Sequence, residues 1–407
     1  MSSQARIGLL GRGTVGGAFA DLVEARADAV AEVAGSKPAI TGVLRRTEGD
    51  FDEILEGSDI VVELMGGTDP ARDYVLRALQ AGKHVVTANK QLVAQHGEEL
   101  FAAARLNGVQ LRFEAAVAGV VPVIRVIQES LAATEVTKVF GIVNGTTNFI
   151  LSEMAKTGAS YADVLARAQE LGYAEADPTA DVGGADAAAK MAILARLAFD
   201  SPVSLDDVSY EGITEISPED MAYAKELGLS LKLLGVAEVS EEGVSVRVFP
   251  CFLYPGHPLA PVEGPFNAVM VQAPAITEIT MSGPGAGGLA TATAVLGDVV
   301  SILAGDAPVH RTLRELPIVS DVASSFYVHL EVDDRPGVLA AVADVLGQAG
   351  ISVKSMVQRG AGEQARLVMV LHETSERAFY GALSELGKLD FMRADPRAIR
   401  VIEEQFG

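Results

Sequence analysis

The stretch RIGLLGRGTVG, residues 6–16, decides the fold of this chain. A short apolar strand runs into three glycines, Gly11, Gly13 and Gly16, and a helical pattern begins near Thr14. Glycines in the spacing G-x-G-x-x-G allow a tight turn and a close approach of the backbone to a pyrophosphate, and the helix N-terminus supplies N–H donors. A glycine turn that binds nothing is the alternative interpretation, but the strand-turn-helix context favours a Rossmann dinucleotide-binding unit.

The pattern of this stretch repeats through the first third of the chain. Short β-branched runs alternate with helical patterns, and the runs are Ile7–Leu10, Ile40–Leu44, Ile60–Leu64, His84–Thr87 and Val109–Phe113. Strands that alternate with helices indicate βαβ units and a parallel sheet. The sequence therefore predicts an α/β Rossmann-type NAD(P)-binding domain over residues 1–141.

Two further domains are expected after the first. Residues 142–305 mix Ala-rich helices with alternating strands, which is typical of an α+β domain for substrate binding and dimerisation. The sheet of this domain can include part of residues 306–320. Residues 306–325 contain two prolines and little periodicity, so we interpret them as a linker. From 326 to 407 the order strand, helix, strand, strand, helix, strand predicts a ferredoxin-like βαββαβ domain.

The overall composition excludes several classes of function. The 407 residues carry a formal charge of −22, which repels phosphate backbones and anionic membranes. Cys251 is the single cysteine, so neither a disulfide framework nor a Cys-based metal cluster is possible within the chain. The sequence also lacks a secretion signal pattern and a long apolar run. We expect a soluble cytoplasmic protein that binds neither nucleic acid nor membrane.

The end of the second predicted strand bears on the choice of cofactor. An Asp or Glu at this position would accept the ribose 2′-hydroxyl of NAD, but the strand ends in Leu44, Arg45 and Arg46. Two guanidinium groups can instead bind a 2′-phosphate, so NADP is favoured over NAD, with two solvated arginines as the alternative. Gly66 and Thr68 follow the third strand, where a turn beside the cofactor is expected.

The densest polar cluster of the sequence is GYAEADPTADVGGADAAAK, residues 172–190. Asp186 and Lys190 lie four residues apart at the start of an otherwise apolar helix, so they share a face. An exposed pair of this kind would contribute only about 0.3 to 0.5 kcal/mol. The apolar helix and the concentration of acids before it favour a functional site instead. Carboxylates favour the ammonium form of a lysine, so Lys190 is expected to donate a proton or anchor a ligand.

A second candidate is Lys90, which directly follows the predicted strand His84–Thr87. Doubly wound sheets bind their ligands at the carboxyl ends of their strands, so a lysine here can meet cofactor or substrate. A lysine at a helix start otherwise opposes the helix dipole, which also favours function. His84 lies within the apolar strand and is interpreted as a core residue.

Residues 168–190 resemble the signature of the homoserine dehydrogenase family throughout. The resemblance covers essentially the whole chain, and the supporting matches are residues 11–16, 87–90, 114–119, 144–148 and 283–287. It implies the NAD(P)H-dependent, reversible reduction of L-aspartate 4-semialdehyde to L-homoserine, a step in threonine, methionine and isoleucine biosynthesis.

The resemblance also implies roles for individual side chains. Lys190 donates a proton to the developing alkoxide and is supported by Asp186. Glu175 and Asp186 hold the ammonium or hydroxyl group of the substrate, Asp181 forms a further acidic wall, and Lys90 reaches both the nicotinamide and the substrate.

Cofactor and cation sites follow from the same resemblance. The cofactor residues expected are Gly11, Gly13, Thr14, Val15, Gly16, Arg45, Arg46, Gly66, Thr68, Lys90 and Gly287. A monovalent cation, usually sodium, is expected on the Glu114 carboxylate and on the backbone carbonyls of Val117, Gly119 and Val121, a set of oxygen ligands that suits a hard cation. Family members that bind the 2′-phosphate often carry another basic residue after the second strand, whereas the only charged residues at 47–50 here are acids. The resemblance therefore also allows the use of both NADP and NAD.

The segment 334–339, DRPGVL, ends a strand and starts a helix, with Pro336 in the first turn. It resembles the ACT domain, an amino-acid-sensing module that commonly pairs with a second copy. A homodimer or tetramer and inhibition by threonine are implied, although Ser352 stands where many ACT domains have asparagine. A ferredoxin-like appendage that only dimerises is the alternative. For a sensor, removal of the chain from about Asp321 is expected to leave activity and abolish inhibition.

Two competing functions remain to be compared. Aspartate-semialdehyde dehydrogenase uses the same metabolite but needs a nucleophilic cysteine with a histidine partner. Cys251 lies in an apolar strand and is interpreted as a small buried hydrophobe, which argues against that enzyme. An amino-acid sensor with an inactive Rossmann unit is the non-enzymatic alternative, and the presence of Lys90, Asp186 and Lys190 argues against it.

Overall fold

The computed structural model describes residues 3–309, 311–360 and 365–402. Residues 1–2 and 403–407, the outer ends of the first and third predicted domains, lie outside the described ranges. The architecture is α/β, as predicted: a parallel N-terminal sheet is followed by a mixed sheet, and a C-terminal βαββαβ unit joins the mixed sheet.

The N-terminal region confirms the predicted alternation of strands and helices. Its elements are β1 (Ser3–Leu10), α1 (Thr14–Ala34), β2 (Ser36–Leu44), α2 (Phe51–Glu56), β3 (Ile60–Glu63), α3 (Ala71–Gln80), β4 (His84–Thr87), α4 (Lys90–Leu106) and β5 (Leu111–Arg112). All pairs are parallel in the order β2-β1-β3-β4-β5. The chain order reverses between β1 and β3, and ligands of doubly wound sheets bind in the crevice at such a point.

The middle region contains the longest apolar helix and two long strands. Its elements are a 3₁₀ turn (Glu114–Ala116), α5 (Val123–Arg125), a π turn (Val126–Ser130), β6 (Lys138–Ile142), α6 (Gly145–Thr157), α7 (Tyr161–Glu170), α8 (Thr179–Val182), α9 (Ala185–Phe199), a 3₁₀ turn (Leu205–Asp207), β7 (Ser209–Tyr210), α10 (Pro218–Leu227), β8 (Ser230–Ser240), β9 (Gly243–Leu253), β10 (Phe266–Ala273), β11 (Thr277–Pro284) and α11 (Gly288–Ala304). Helix α9 is buried around most of its circumference, because alanines let it lie close to the sheet.

Helix α11 connects the middle region to the Rossmann sheet. Its apolar residues Ala292, Val295 and Val299 share a core with Phe19 and Val23 of α1. The loop that precedes α11 is thereby held beside the glycine-rich turn at the start of α1.

The C-terminal region has the predicted βαββαβ order. Its elements are β12 (Ala323–Val332), α12 (Val338–Gln348), β13 (Val353–Arg359), β14 (Ala365–Leu371), a two-residue β15 (Thr374–Ser375), α13 (Glu376–Leu386) and β16 (Arg397–Ile402). Helix α13 packs on the sheet through Phe379, whose ring stacks on Phe326 with centroids 3.6 Å apart.

The C-terminal sheet continues the sheet of the middle region. Strand β16 pairs in parallel with β9, in the register Arg400 with Cys251 and Ile402 with Leu253. The combined sheet has the order β11-β10-β6-β8-β9-β16-β12-β14-β13. In addition, β7 pairs with β9 and β15 pairs with β12. The C-terminal unit is therefore hydrogen-bonded to the body of the protein through its last strand.

Among the described residues of the predicted linker, 306–325, no helix or strand precedes β12, but residues 323–325 already belong to that strand, so β12 starts inside the predicted linker. The linker is nevertheless attached to the body, because the Arg311 guanidinium pairs with Asp200 at 3.1 Å and the Arg314 backbone N–H donates to the Asp200 carbonyl. No helix in the described part of the chain has the length and apolarity that a membrane crossing requires.

Candidate active site

The glycine-rich turn lies at the carboxyl end of β1, as the sequence predicted. Gly11 has φ +96°, and a Cβ atom there would lie 2.7 Å from the Leu64 carbonyl oxygen. At Gly16 a Cβ would lie 2.1 Å from the Gly11 carbonyl oxygen, whereas at Gly13 it would meet nothing within 4 Å. Two glycines thus close the turn, and the third faces open space at the start of α1, where Thr14 and Val15 begin the helix.

The two arginines after β2 differ in their environment. Arg45 pairs with Glu48 at 3.0 Å, and both side chains are exposed. Arg46 is exposed and makes no ion pair within the described ranges. One of the acids that follow β2 therefore competes for one of the two expected phosphate ligands.

Gly66 and Thr68 lie in the turn after β3, and a buried acid that we did not single out shapes this turn. The Glu63 carboxylate accepts hydrogen bonds from the Met65 and Gly66 N–H groups at 2.7 and 3.2 Å. Burial raises the pKa of Glu63, while these donors and the Thr87 hydroxyl lower it. Glu63 is the penultimate residue of the predicted strand Ile60–Leu64, and an acid within an apolar strand was the available signal.

Gly287 directly precedes the first residue of α11. The next residue, Gly288, lies so close to Thr14 that a Cβ there would be 3.2 Å from the threonine methyl group. The structure therefore brings the 283–287 segment next to the glycine-rich turn, although more than 260 residues separate them in sequence.

Asp186 connects the two lysines that the sequence singled out. It lies in the first turn of α9, and its Oδ2 atom is 2.7 Å from Lys190 Nζ. Its Oδ1 atom is 2.8 Å from Nζ of Lys90, the first residue of α4 in the Rossmann region. Lys190 also donates to the Val143 carbonyl oxygen at 2.7 Å. One buried carboxylate thus bridges an ammonium group from each domain.

Charge determines the protonation states in this cluster. Burial by itself would raise the pKa of Asp186, but Lys190 and Lys90 hold it well below its usual range. Burial likewise opposes the charged form of Lys90, but Asp186, Asp181 and Glu175 raise its pKa overall. Asp186 is therefore a carboxylate, and Lys90 is an ammonium, throughout the neutral pH range.

The other two predicted acids lie at different distances from this centre. Asp181 is half-buried, and its pKa is raised by burial and by the charge of Asp186. Glu175 is exposed, and its side chain makes no ion pair within the described residues. Glu175 therefore acts on the cluster only through its charge, at the rim of the site.

Asn144 is the residue whose role the sequence did not indicate. It is the N-cap of α6, where its Oδ1 accepts from the Thr147 N–H, and its Nδ2 donates to Asp181 at 2.7 Å and to Asp186 at 2.8 Å. The matching segment 144–148 was noted, but only as a similarity. An Asn at the start of a helix, following an apolar strand, was the available signal.

Asn267 is a second residue whose role the sequence did not indicate. It lies fully buried in β10, and its Nδ2 donates to the Val143 carbonyl at 3.2 Å, the same oxygen that accepts from Lys190. Its Oδ1 has no hydrogen-bond partner within the described part of the chain. Asn267 thus fixes the carbonyl that orients Lys190.

The expected cation site is centred on the buried Glu114. Its two carboxylate oxygens each accept a backbone N–H, from Ile124 and Arg125, at 2.9 Å. Asp298 lies alongside and accepts the Glu114 N–H at 2.8 Å. Burial and the charge of Asp298 raise the pKa of Glu114 to about 7, and burial raises the pKa of Asp298 to about 6.

The remaining expected cation ligands lie in the turn that follows Glu114. Val117, Gly119 and Val121 are buried, and Gly119 has φ +66°, but the Val121 carbonyl already accepts the Val123 N–H at 2.8 Å. No group of three or more His, Cys, Asp or Glu residues in the described ranges is suited to a metal. One carboxylate with backbone carbonyls is a ligand set for a hard, weakly charged cation, and such a cation would offset the charge of Glu114, since Asp298 is already paired with Arg125 at 3.2 Å. The residues present therefore fit the expected ion.

Cys251 is unsuited to nucleophilic catalysis. It is fully buried in β9, and burial raises the pKa of its thiol far above the ordinary range. Since the thiolate is the nucleophile, the thioester chemistry of an aspartate-semialdehyde dehydrogenase has no candidate residue here.

Comparison with known families identifies three segments. The profile described as "Homoserine dehydrogenase, NAD binding domain" matches residues 11–114, that described as "Homoserine dehydrogenase" matches residues 122–300, and that described as "ACT domain" matches residues 327–391.

Similar proteins match over nearly the whole chain. The homoserine dehydrogenase of Corynebacterium glutamicum is 45% identical over 91% of this chain and 89% of its own length, and that of Bacillus subtilis is 39% identical over 97% and 98%. The crystal structure of a homoserine dehydrogenase from Thiobacillus denitrificans superposes with a TM-score of 0.93 at 39% identity, covering 98% of this chain and 99% of that one. The S. aureus homoserine dehydrogenase superposes with a TM-score of 0.79 at 31% identity, covering 99% and 100%.

Proposed function

The chain belongs to the homoserine dehydrogenase family of oxidoreductases that act on a CH–OH group, and on this premise we propose that it reversibly reduces L-aspartate 4-semialdehyde to L-homoserine with NAD(P)H. The observation that carries the proposal is the bridge formed by Asp186 between Lys90 and Lys190. This bridge holds two ammonium groups on one buried carboxylate, where the start of α4 in the Rossmann region meets the apolar helix α9.

The dinucleotide would be held by the glycine-rich turn and its neighbours. Gly13 leaves room for the pyrophosphate, the N-terminus of α1 supplies N–H donors, and the 283–287 loop covers the opposite side. Arg46 would bind a 2′-phosphate. Because Arg45 is paired with Glu48, it would contribute less to the affinity for NADP(H) over NAD(H). We propose a preference for NADP(H) with some use of NAD(H).

Lys190 would provide the proton that aldehyde reduction requires. A dihydronicotinamide held in the crevice would supply the hydride for the aldehyde carbon, so negative charge would develop on the carbonyl oxygen. Lys190 Nζ would donate a proton to that oxygen, and its hydrogen bonds to Asp186 and Val143 hold the donor in place. In the reverse direction the neutral amine of Lys190 would accept the hydroxyl proton, so one residue serves both directions.

The acids and Lys90 would orient the amino-acid part of the substrate. Asp181 and Glu175 present negative charge to the substrate ammonium group, and Lys90 presents positive charge at the nicotinamide side. Because Lys90 and Asp186 come from different domains, the site would depend on the packing of the two domains against each other.

The proposal also includes a bound cation and an amino-acid effector. A sodium ion would be held by Glu114 with the carbonyls of Val117, Gly119 and Val121, at the junction of the two domains. We propose that the ACT domain senses an amino acid, threonine in the first place, and that the enzyme acts as a homodimer or tetramer.

The proposed reaction is tested by initial rates of NADPH consumption with L-aspartate 4-semialdehyde and of NADP⁺ reduction with L-homoserine. Lys190→Met removes the ammonium but keeps the side-chain length, so kcat should fall roughly 10²- to 10⁴-fold, as for loss of a general acid. NADPH binding, measured by fluorescence titration, should change less than about twofold.

Lys37→Met is the matched control, because Lys37 is an exposed surface residue paired with Asp28. It should keep the wild-type rate. A Lys190→Met enzyme with wild-type kcat would overturn the proton-donor role, and a wild-type protein that turns over neither substrate would overturn the proposed reaction.

A further inference from the structure

A cleft of about 400 Å³ lies between the C-terminal unit and the middle region, away from the proposed catalytic residues. One wall is the segment 211–220 before and within α10, and the other is strand β16 with its neighbours in the C-terminal unit. None of its lining residues has a role in the reaction described above. The cleft lies within one chain, where β16 joins β9.

The cleft combines charges of both signs with an apolar wall. Arg397 and Arg400 contribute guanidinium groups, and Glu211 and Asp220 contribute carboxylates. The apolar wall consists of Ile216, Pro250, Phe326 and Tyr380. A small molecule with a carboxylate, an ammonium group and a short side chain matches all three features, and an α-amino acid has this chemistry.

We propose that this junction cleft is the binding site for an inhibitory α-amino acid, and that it acts within a single chain. The inference rests on the proposed function, in which the ACT domain senses an amino acid. The cleft is separate from the loop at 334–337, because its lining residues in the C-terminal unit are Phe326, Tyr380 and residues 397–400.

The charged groups of the cleft are already paired with one another across the junction. Arg400 Nη1 donates to Glu211 at 2.9 Å, and Arg397 Nη2 donates to Asp220 at 2.7 Å and to the Glu215 carbonyl at 2.9 Å. A bound amino acid would exchange these bonds, its carboxylate taking a guanidinium and its ammonium taking a carboxylate. Binding therefore changes the contacts between β16 and the segment 211–220.

That segment is packed directly against the residues that precede α9, the helix that carries Asp186. The Ile213 N–H donates to the Val182 carbonyl at 2.8 Å, and a Cβ at Gly212 would lie 2.1 Å from the same oxygen. A Cβ at Gly184 would lie 2.9 Å from the Glu211 carbonyl. Asp186 follows Gly184 by two residues, so a shift of the segment reaches the carboxylate that bridges Lys90 and Lys190.

The test is calorimetric titration of the full-length protein with L-threonine, L-isoleucine, L-methionine and L-lysine, combined with inhibition of the initial rate. We expect L-threonine to bind and inhibit. Thr214→Trp fills the cleft from an exposed position, so the dissociation constant should rise at least tenfold. Tyr380→Ala, which removes part of the apolar wall, should weaken binding in the same direction.

Thr157→Trp, at an exposed position at the end of α6, is the matched control and should bind like the wild type. Hydrogen exchange with and without L-threonine should change at 182–186 and 211–216. Wild-type affinity in both cleft variants, or exchange changes confined to 334–337, would overturn the cleft site while amino-acid regulation stands. If none of the four amino acids binds, the effector site fails, whereas the dehydrogenase reaction is judged separately by turnover.

Discussion

Replacing Asn144 by aspartate is the sharpest perturbation of the active-site cluster. The amide Nδ2 of Asn144 donates to Asp181 at 2.7 Å and to Asp186 at 2.8 Å, while its Oδ1 caps α6. Aspartate is an equally good N-cap, so the helix start should remain intact. The substitution removes both donated hydrogen bonds and places a third carboxylate against two others.

The size of the effect follows from these two bonds. A hydrogen bond to a charged group contributes about 1.5 to 3 kcal/mol, and loss of one of them from the reactive arrangement corresponds to a roughly 10- to 150-fold lower kcat. Loss of the donor and added negative charge both raise the pKa of Asp181 and Asp186. Their protonation then extends to higher pH, so Asn144→Asp should lose more activity at pH 6 than at pH 9.

The assay is the pH profile of kcat and of kcat/KM, with thermal unfolding measured in parallel. Asn144→Ser keeps a cap and one neutral donor, so it should lose less activity and leave the profile near that of the wild type. Asn107→Asp, at the exposed end of α4, makes the same chemical change away from the site and should have no effect on the profile. If Asn144→Asp kept the wild-type pH profile, the inference that Asn144 positions Asp181 and Asp186 would be refuted.

Three further predictions follow from the cofactor, cation and C-terminal contacts. Arg46→Ala should raise KM for NADPH but not for NADH, and Glu48→Gln should lower KM for NADPH by releasing Arg45; equal changes with both coenzymes would contradict this. Glu114→Gln should abolish any stimulation of the rate by sodium chloride relative to choline chloride, and retained stimulation would count against the cation ligand. Removal of residues 321–407 leaves the Cys251–Leu253 end of β9 as a free edge, so the thermal midpoint should fall by at least about 4 °C, and an unchanged midpoint would contradict the role of β16 as its partner.

The last prediction replaces a simpler expectation from the sequence. A C-terminal sensor attached by a linker suggested that truncation leaves activity intact. In the structure β16 hydrogen-bonds to β9, and Arg247 of β9 pairs with Glu376 at the start of α13 at 3.0 Å. Truncation therefore removes a strand and leaves a buried guanidinium without one of its partners, so point substitutions in the cleft are the cleaner test of regulation.

Local patterns in the sequence were sufficient for the fold of each region. The glycine spacing after β1, the alternation of strands and helices, and the βαββαβ order of the tail depend on neighbouring residues, and all three are confirmed. The pairing of Asp186 with Lys190 was also predictable, because residues four apart on a helix are in contact whatever surrounds them.

The cluster as a whole was decided by the tertiary structure. Lys90 contacts Asp186 from another domain. Asn144 donates to Asp181 and Asp186, which lie more than thirty residues further along the chain. Strand β16 pairs with β9, which ends at Leu253. Such contacts depend on how separate elements pack, and no periodicity or spacing encodes which distant groups will meet. The sequence alone determined the elements and their chemistry, whereas packing between distant segments decided which charges share one site and which strand the C-terminal unit joins.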